Sequence, residues 1–141
     1  MGTERTKVRR TPEKQVDDPE ILRAILARAI IAHVAISIDD QPFVLPVACA
    51  PYKDALLLHG STASRLFKAL AAGAPACVSI TLVDALVLAR TSFDSSMRYH
   101  SLMAFGKARL IEGEEKVSAL EALTTHLFPY RAIELSQSSE Q

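Results

Sequence analysis

Residues 58–70 read LHGSTASRLFKAL, and this stretch decides the fold. A short apolar strand, residues 55–58, runs straight into His59-Gly60-Ser61-Thr62, and a helix opens at once. Ser61 suits the N-cap, because its hydroxyl can accept a hydrogen bond from a free first-turn amide. Arg65 and Lys68 follow at helical spacing. Free amides, hydroxyls and two cations at one helix start make a ready phosphate site. The same residues also suit an ordinary capped surface helix with solvated charges, so the choice falls to the neighbouring sequence.

Upstream, Asp18-Pro19-Glu20 is a compact helix start: a cap, a proline at the first helical position and an acid in the first turn. Ile21, Leu22, Ile25, Leu26 and Ala29 mark its apolar face. Residues 31–38 read as a strand, with Val34, Ile36 and Ile38 alternating against His33, Ala35 and Ser37. A turn at 39–42 leads to a second strand, 43–50, apolar on both faces and expected to be buried on both. Pro46 lies in its middle. Proline has no N–H for a ladder, so a bulge, an edge or something other than a strand must lie beside it.

Downstream, the helix from about Thr62 ends at Gly73, a natural C′ residue, and Pro75 blocks its continuation. Residues 76–89 are too long for one plain strand. A break at Val83-Asp84-Ala85 predicts a hairpin of strands 76–82 and 86–91. A sixth strand covers 97–111, with Gly106 as a bulge or a point of close approach. A second long helix spans 114–128, with Val117, Leu120, Leu123 and Leu127 inward and Pro129 as its stop. The order α-β-β-β-α-β-β-β-α predicts a mainly β fold with helices (α+β), a six-stranded antiparallel barrel that hides its edges by closure.

Composition narrows the function. The 141 residues carry 16 Lys+Arg against 16 Asp+Glu, which gives no electrostatic ground for nucleic-acid binding. No apolar run can span a bilayer, and the N-terminus lacks the apolar core of a signal peptide. A cytoplasmic protein is expected, with Cys49 and Cys77 as buried free thiols. His33, His59, His100 and His126 are scattered and predict no metal site.

Four passages in order, IAHVAIS (31–37), LLLHGSTASRLFKAL (56–70), CVSITLVDALVLARTSFDSSMRYHS (77–101) and FGKARLIEG (105–113), resemble the pyridoxamine 5′-phosphate oxidase-like split-barrel flavoproteins. Within them the chain is most similar to the flavin-nucleotide-binding branch that includes the nitroimidazole-resistance proteins. The resemblance implies a homodimer holding FMN in grooves between subunits. Ser61, Ser64 and Arg65 match the family's phosphate contacts, and Lys68 stands one turn further on. His59 and Gly60 sit where the chain bends around the flavin tail. Backbone groups of Leu45, Pro46, Val47 and Ala48 match the strand that lines the isoalloxazine ring. Tyr99 and Ser101 match a segment that reaches the flavin, with either subunit as its source.

The chain departs from the pattern at Arg98 and His100, where relatives carry asparagine and arginine, and at Asp84-Ala85 in place of Asp-Gly. It also stops early. The resemblance divides it into an arm (1–16), a split-barrel domain (17–129) and a short polar tail (130–141) without the family's last strands, which bears on flavin affinity and on an open edge. No side chain stands out as a general acid or base, and no basic cluster beyond Arg65 and Lys68 is visible for a second phosphate. A flavin oxidoreductase is the expectation; a flavin carrier without turnover and a shortened paralogue without cofactor are the alternatives.

Overall fold

The computed structural model describes residues 4–130; residues 131–141, which hold nearly all of the polar tail, lie outside the described residues. Helix α1 (Pro19–Arg28) is followed by strands β1 (Ile31–Ile38), β2 (Gln41–Tyr52) and β3 (Ala55–His59), helix α2 (Arg65–Ala71), strands β4 (Pro75–Val87) and β5 (Ser96–Lys107), and helix α3 (Gly113–Leu127). The fold is mixed α+β. Its five strands form one antiparallel sheet in the order β3-β2-β1-β4-β5.

The local signals act where they stand. Asp18 caps α1 by accepting from the Glu20 amide at 2.9 Å. Asp39 and Asp40 both take positive φ, 50° and 62°, which is the two-residue turn that suits a right-twisted hairpin; it pairs Ile38 with Gln41. Gly73 has φ 82°, and the Gly73 and Ala74 amides bond to the Leu70 and Ala69 carbonyls, closing α2 with a Schellman motif.

Pro46 sits in a regular part of β2, opposite His33. The Cys49 amide bonds to the Ile30 carbonyl at 3.1 Å. Alternation from that pair turns the Pro46 nitrogen away from β1. On its other side β3 pairs only with Ala48–Tyr52, so no strand lies beside Pro46 and no ladder donor is lost.

Direct cross-strand partners share a face. Ala32, Val34 and Ile36 of β1 therefore point the same way as Val47, Leu45 and Phe43 of β2 and Val78 and Ile80 of β4. This inner face is the core. At one end Ile25 and Ala29 of α1 cover Ala32, Cys49 and Ile80; at the other, Leu66 and Leu70 of α2 cover Val34 and Ile36. The opposite face lies open. Val44 is 63% exposed and Met103 59%, and His33, Pro46, Thr81, Tyr99 and Ser101 are exposed too. The expectation that strand 43–50 is buried on both faces is thus corrected: one face packs on the helices, whereas on the other Val44 and Pro46 are exposed and only Ala50, at the end, is buried.

Two further expectations are corrected. The predicted hairpin at Val83-Asp84-Ala85 is absent. Residues 75–87 form one strand, paired with β5 throughout, with a register shift between Val83 and Ala85. Asp84 is the extra residue of a bulge. Its carboxylate accepts from Arg28 Nη2 at 2.8 Å and lies 2.6 Å from His100 Nδ1, which ties α1, β4 and β5 together. The Arg28 guanidinium, and then His100, hold the Asp84 carboxyl below its usual range. Among the described residues the sheet therefore has five strands in place of the six expected, and His100, one of the departures from the family pattern, is bound up in this contact. The α3 face is also narrower than expected, since Val117 is 53% exposed and Ala119 and Leu123 are the buried positions.

α3 is held at its start by Glu115, which accepts both guanidinium nitrogens of Arg109, at 2.9 and 2.8 Å, and Lys53 Nζ at 3.0 Å. These cations, Arg109 first, pull the Glu115 carboxyl from 4.5 down to about 2. A depressed carboxyl pKa contributes stability above the unfolded value and loses it as pH falls through the folded one. Glu115→Gln should therefore differ most from wild type above pH 4.5 and converge with it as the pH approaches about 2. Urea midpoints across that range check this; parallel curves would contradict it.

Candidate functional site

The segment between β3 and α2 carries the candidate site. His59 ends β3 on the exposed side of the sheet, opposite Ala48. Gly60 follows, and the space above it is filled: a Cβ there would lie 2.4 Å from Cε2 of Phe67. The glycine lets the chain bend tightly over the Phe67 ring, which packs on the α2 core. Gly60→Ala should cost about 1–3 kcal/mol through this overlap, read as a lower urea midpoint at unchanged m-value.

The helix begins later than the sequence suggests. Ser64, not Ser61, is the N-cap: its Oγ accepts from the Phe67 amide at 3.3 Å. Ser61 closes the turn before it, its Oγ accepting from the Ala63 amide at 3.3 Å and its carbonyl from the Ser64 amide. Both hydroxyls are thus fixed by the backbone. α2 has only seven residues, so the anion-binding character of the segment rests mainly on Arg65.

Arg65 is exposed, and its guanidinium stacks over the Phe43 ring at 4.6 Å. Cation–π stacking orients the planar fork while leaving its N–H edge free. Among the described residues Arg65 has no ion pair. An oriented, exposed and unpaired guanidinium is suited to a bidentate anion such as phosphate. Lys68 is exposed in the last turn of α2.

The remaining candidate residues divide by face. Leu45 and Val47 turn their side chains into the core, leaving only their backbone for a ligand. Pro46 and Ala48 face the open side. Tyr99 and Ser101 are exposed on β5, paired with Val83 and Thr81, and also face the open side. However, β5 is the opposite edge of the sheet from β3. Four strand spacings separate them, about 19 Å along the sheet. Within one chain the structure gathers His59, Gly60, Ser61, Ser64 and Arg65, and leaves Tyr99 and Ser101 apart.

Beside Thr62 the structure adds a residue that the sequence reading missed. A hollow of about 380 Å³ is lined by Thr62, Glu112, Gly113 and Lys116 among others. Lys116 is more than fifty positions away along the chain and carries no local signal; only the return of the chain into α3 brings it there. Among the described residues, no group of three or more His, Cys, Asp or Glu is placed to hold a metal ion, and Cys49 and Cys77 are both free.

Residues 18–141 match the family model described as pyridoxamine 5′-phosphate oxidase. The chain belongs to that family. Three solved structures place it further. It is 41% identical to an FAD and heme binding protein from Mycobacterium smegmatis, with TM-score 0.81, covering 89% of this chain and 62% of that one. It is 33% identical to the flavocytochrome Anf3 from Azotobacter vinelandii, with TM-score 0.79, covering 94% and 64%. A candidate 5-nitroimidazole antibiotic resistance protein from Bacteroides thetaiotaomicron follows at 29% identity and TM-score 0.70, covering 87% and 72%. The chain thus spans less than two thirds of the length of the first two relatives. No curated protein matches the sequence. For this member of the oxidase family, no helix among the described residues is long and apolar enough to cross a membrane.

Proposed function

We propose that the chain is a flavin-nucleotide-binding protein of the oxidoreductase type, acting as a homodimer. The observation that carries this reading is Arg65: an exposed guanidinium, oriented on Phe43 and unpaired among the described residues, which the resemblance matches to a family phosphate contact. The Ser61 and Ser64 hydroxyls lie beside it in sequence, and Lys116 borders the same loop at Thr62. FMN is the proposed nucleotide. FAD, named for the M. smegmatis relative, carries the same phosphate on its ribityl chain, so parallel titrations with FMN and FAD discriminate between them.

The open sheet face supports the dimer. Val44, Val83, Tyr99 and Met103 are each more than half exposed on it, and clustered exposed apolar side chains of this kind mark interaction surfaces. A second copy on this face would cover it and would carry its own Tyr99 and Ser101 toward the Ser61–Arg65 segment. A bound flavin would supply the electron chemistry, and the protein would bind and orient it.

A flavin carrier without turnover is the second reading, since the same Arg65 fork would hold the nucleotide without any reaction. Anaerobic mixing of the flavin-loaded protein with NADH or NADPH separates the two. Bleaching of the flavin band supports an oxidoreductase; a bound flavin untouched by either donor supports the carrier. The same spectra report a Soret band if haem, named for the M. smegmatis relative, is present here as well.

A further inference from the structure

β4 and β5 run on past the rest of the sheet. β1 pairs with β4 only at His33↔Ser79, Val34↔Val78 and Ala35↔Cys77. Beyond Ser79, β4 pairs with β5 alone, as far as Val87↔Ser96. Tyr99 and Ser101 lie on this stretch, so no third strand fixes where they point. What reaches it from the helical side is Arg28, through the Asp84 carboxylate that it shares with His100.

Asp84 stands in the register shift, between the pairs Val83↔Tyr99 and Ala85↔Arg98. A slip of one residue in the pairing would carry the side chains of the strand to the other face. Whatever holds the bulge therefore keeps Tyr99 and Ser101 on the open side. A carboxylate only accepts, so His100 donates its Nδ1–H to Asp84. Arg28, in the last turn of α1, and His100 are the two charged groups that bear on this carboxylate. His100 pairs with Leu82, which packs on the core beneath α1. Cross-strand partners share a face, so the half-exposed imidazole lies on the helical side, away from the surface given to a second copy. Arg98, two residues back along β5, is the other charged group on that side of the strand and has no ion pair among the described residues.

We propose that His100 is a positioning residue: its proton tightens the Asp84 bulge and makes the presentation of Tyr99 and Ser101 to the second subunit depend on pH. With the imidazole protonated, Asp84 holds two cations, one from α1 and one from β5. With the imidazole neutral, Nδ1–H still donates but the ion pair is lost, and the projecting hairpin is held less firmly. The guanidinium keeps its charge throughout, whereas histidine gains and loses its charge between about pH 5 and 8. The consequence at the flavin rests on the function proposed above; the consequence for the hairpin does not.

The test compares wild type with His100→Arg, which fixes the positive charge, and with His100→Gln, a donor without charge, at about pH 6 and pH 8. Hydrogen exchange is read at the amides of 96–101, and FMN affinity is read beside it. Wild type should match His100→Arg at the lower pH. At the higher pH it should match His100→Gln and exchange roughly two- to fivefold faster than His100→Arg, the worth of an exposed ion pair. FMN affinity relative to His100→Arg should fall by a similar factor. Ratios to the variant at each pH cancel the titration of the FMN phosphate and of the other histidines. In an Asp84→Asn background the three proteins should coincide. A wild-type ratio that is the same at both pH values, a difference that survives Asp84→Asn, or a changed exchange with unchanged FMN affinity would each overturn the proposal. If none of the proteins binds FMN, the flavin reading fails and the exchange ratios alone decide the positioning role.

Discussion

Leu66→Ala is expected to lower the unfolding free energy by about 2–5 kcal/mol, a large part of the roughly 5–15 kcal/mol that holds a domain of this size together. Leu66 is 2% exposed and packs with Val34, Ile36 and Leu70 where α2 meets the sheet. Truncation leaves a cavity lined by β-branched side chains on a paired strand, which cannot collapse to fill it. The effect should reach the site as well, because Leu66 anchors the helix turn that presents Ser64 and Arg65. Urea denaturation measures the loss, and flavin titration of the folded variant measures the loosened site. Val117→Ala is the matched control: Val117 is 53% exposed on α3, so its removal should change stability by less than about 0.5 kcal/mol. Equal effects at both positions would contradict the placement of the core.

Arg65→Ala should weaken FMN binding by about 1.5–3 kcal/mol, the worth of a hydrogen bond to a charged group. The fold should be kept, since Arg65 is exposed and the change removes its stacking on Phe43 but no ion pair among the described residues. Two comparisons make the result specific. Riboflavin, which lacks the phosphate, should bind wild type and variant alike. Arg65→Lys should recover only part of the loss, because an ammonium keeps the charge but not the bidentate fork or the stacking on Phe43. An unchanged FMN affinity would remove Arg65 from the site.

Much of the fold was legible because its signals are local. Asp18-Pro19-Glu20 starts α1, Asp39-Asp40 turns the first hairpin, and Gly73 ends α2, each through its own backbone chemistry. The Pro46 anomaly was legible too: a residue without an N–H needs an unpaired edge, and the structure supplies one where β3 has already ended at His59. The errors fall where distant residues decide. Val83-Asp84-Ala85 reads as a turn, but Arg28 and His100 capture the Asp84 carboxylate and hold the strand straight through a bulge. Ser61 and Ser64 are equally good caps by type, and the choice between them follows from where Leu66 and Leu70 must point to reach the sheet. The apolar pattern of residues 43–50 was read as burial on both sides, whereas the alternation places Val44 and Pro46 on a face that leaves them exposed among the described residues.

The candidate site was legible along one segment only. His59, Gly60, Ser61, Ser64 and Arg65 are contiguous enough to read directly, while Lys116 is brought beside Thr62 by topology. Tyr99 and Ser101 were read from a resemblance, and their place on the far edge of the sheet makes their role depend on a second copy of the chain.

The central claim, that this chain binds a flavin nucleotide, is tested most directly by the visible absorption spectrum of the purified protein after incubation with FMN and desalting. The account predicts a retained flavin spectrum in wild type, weakened in Arg65→Ala. A colourless protein that retains no FMN or FAD would contradict it and leave the family fold without its cofactor.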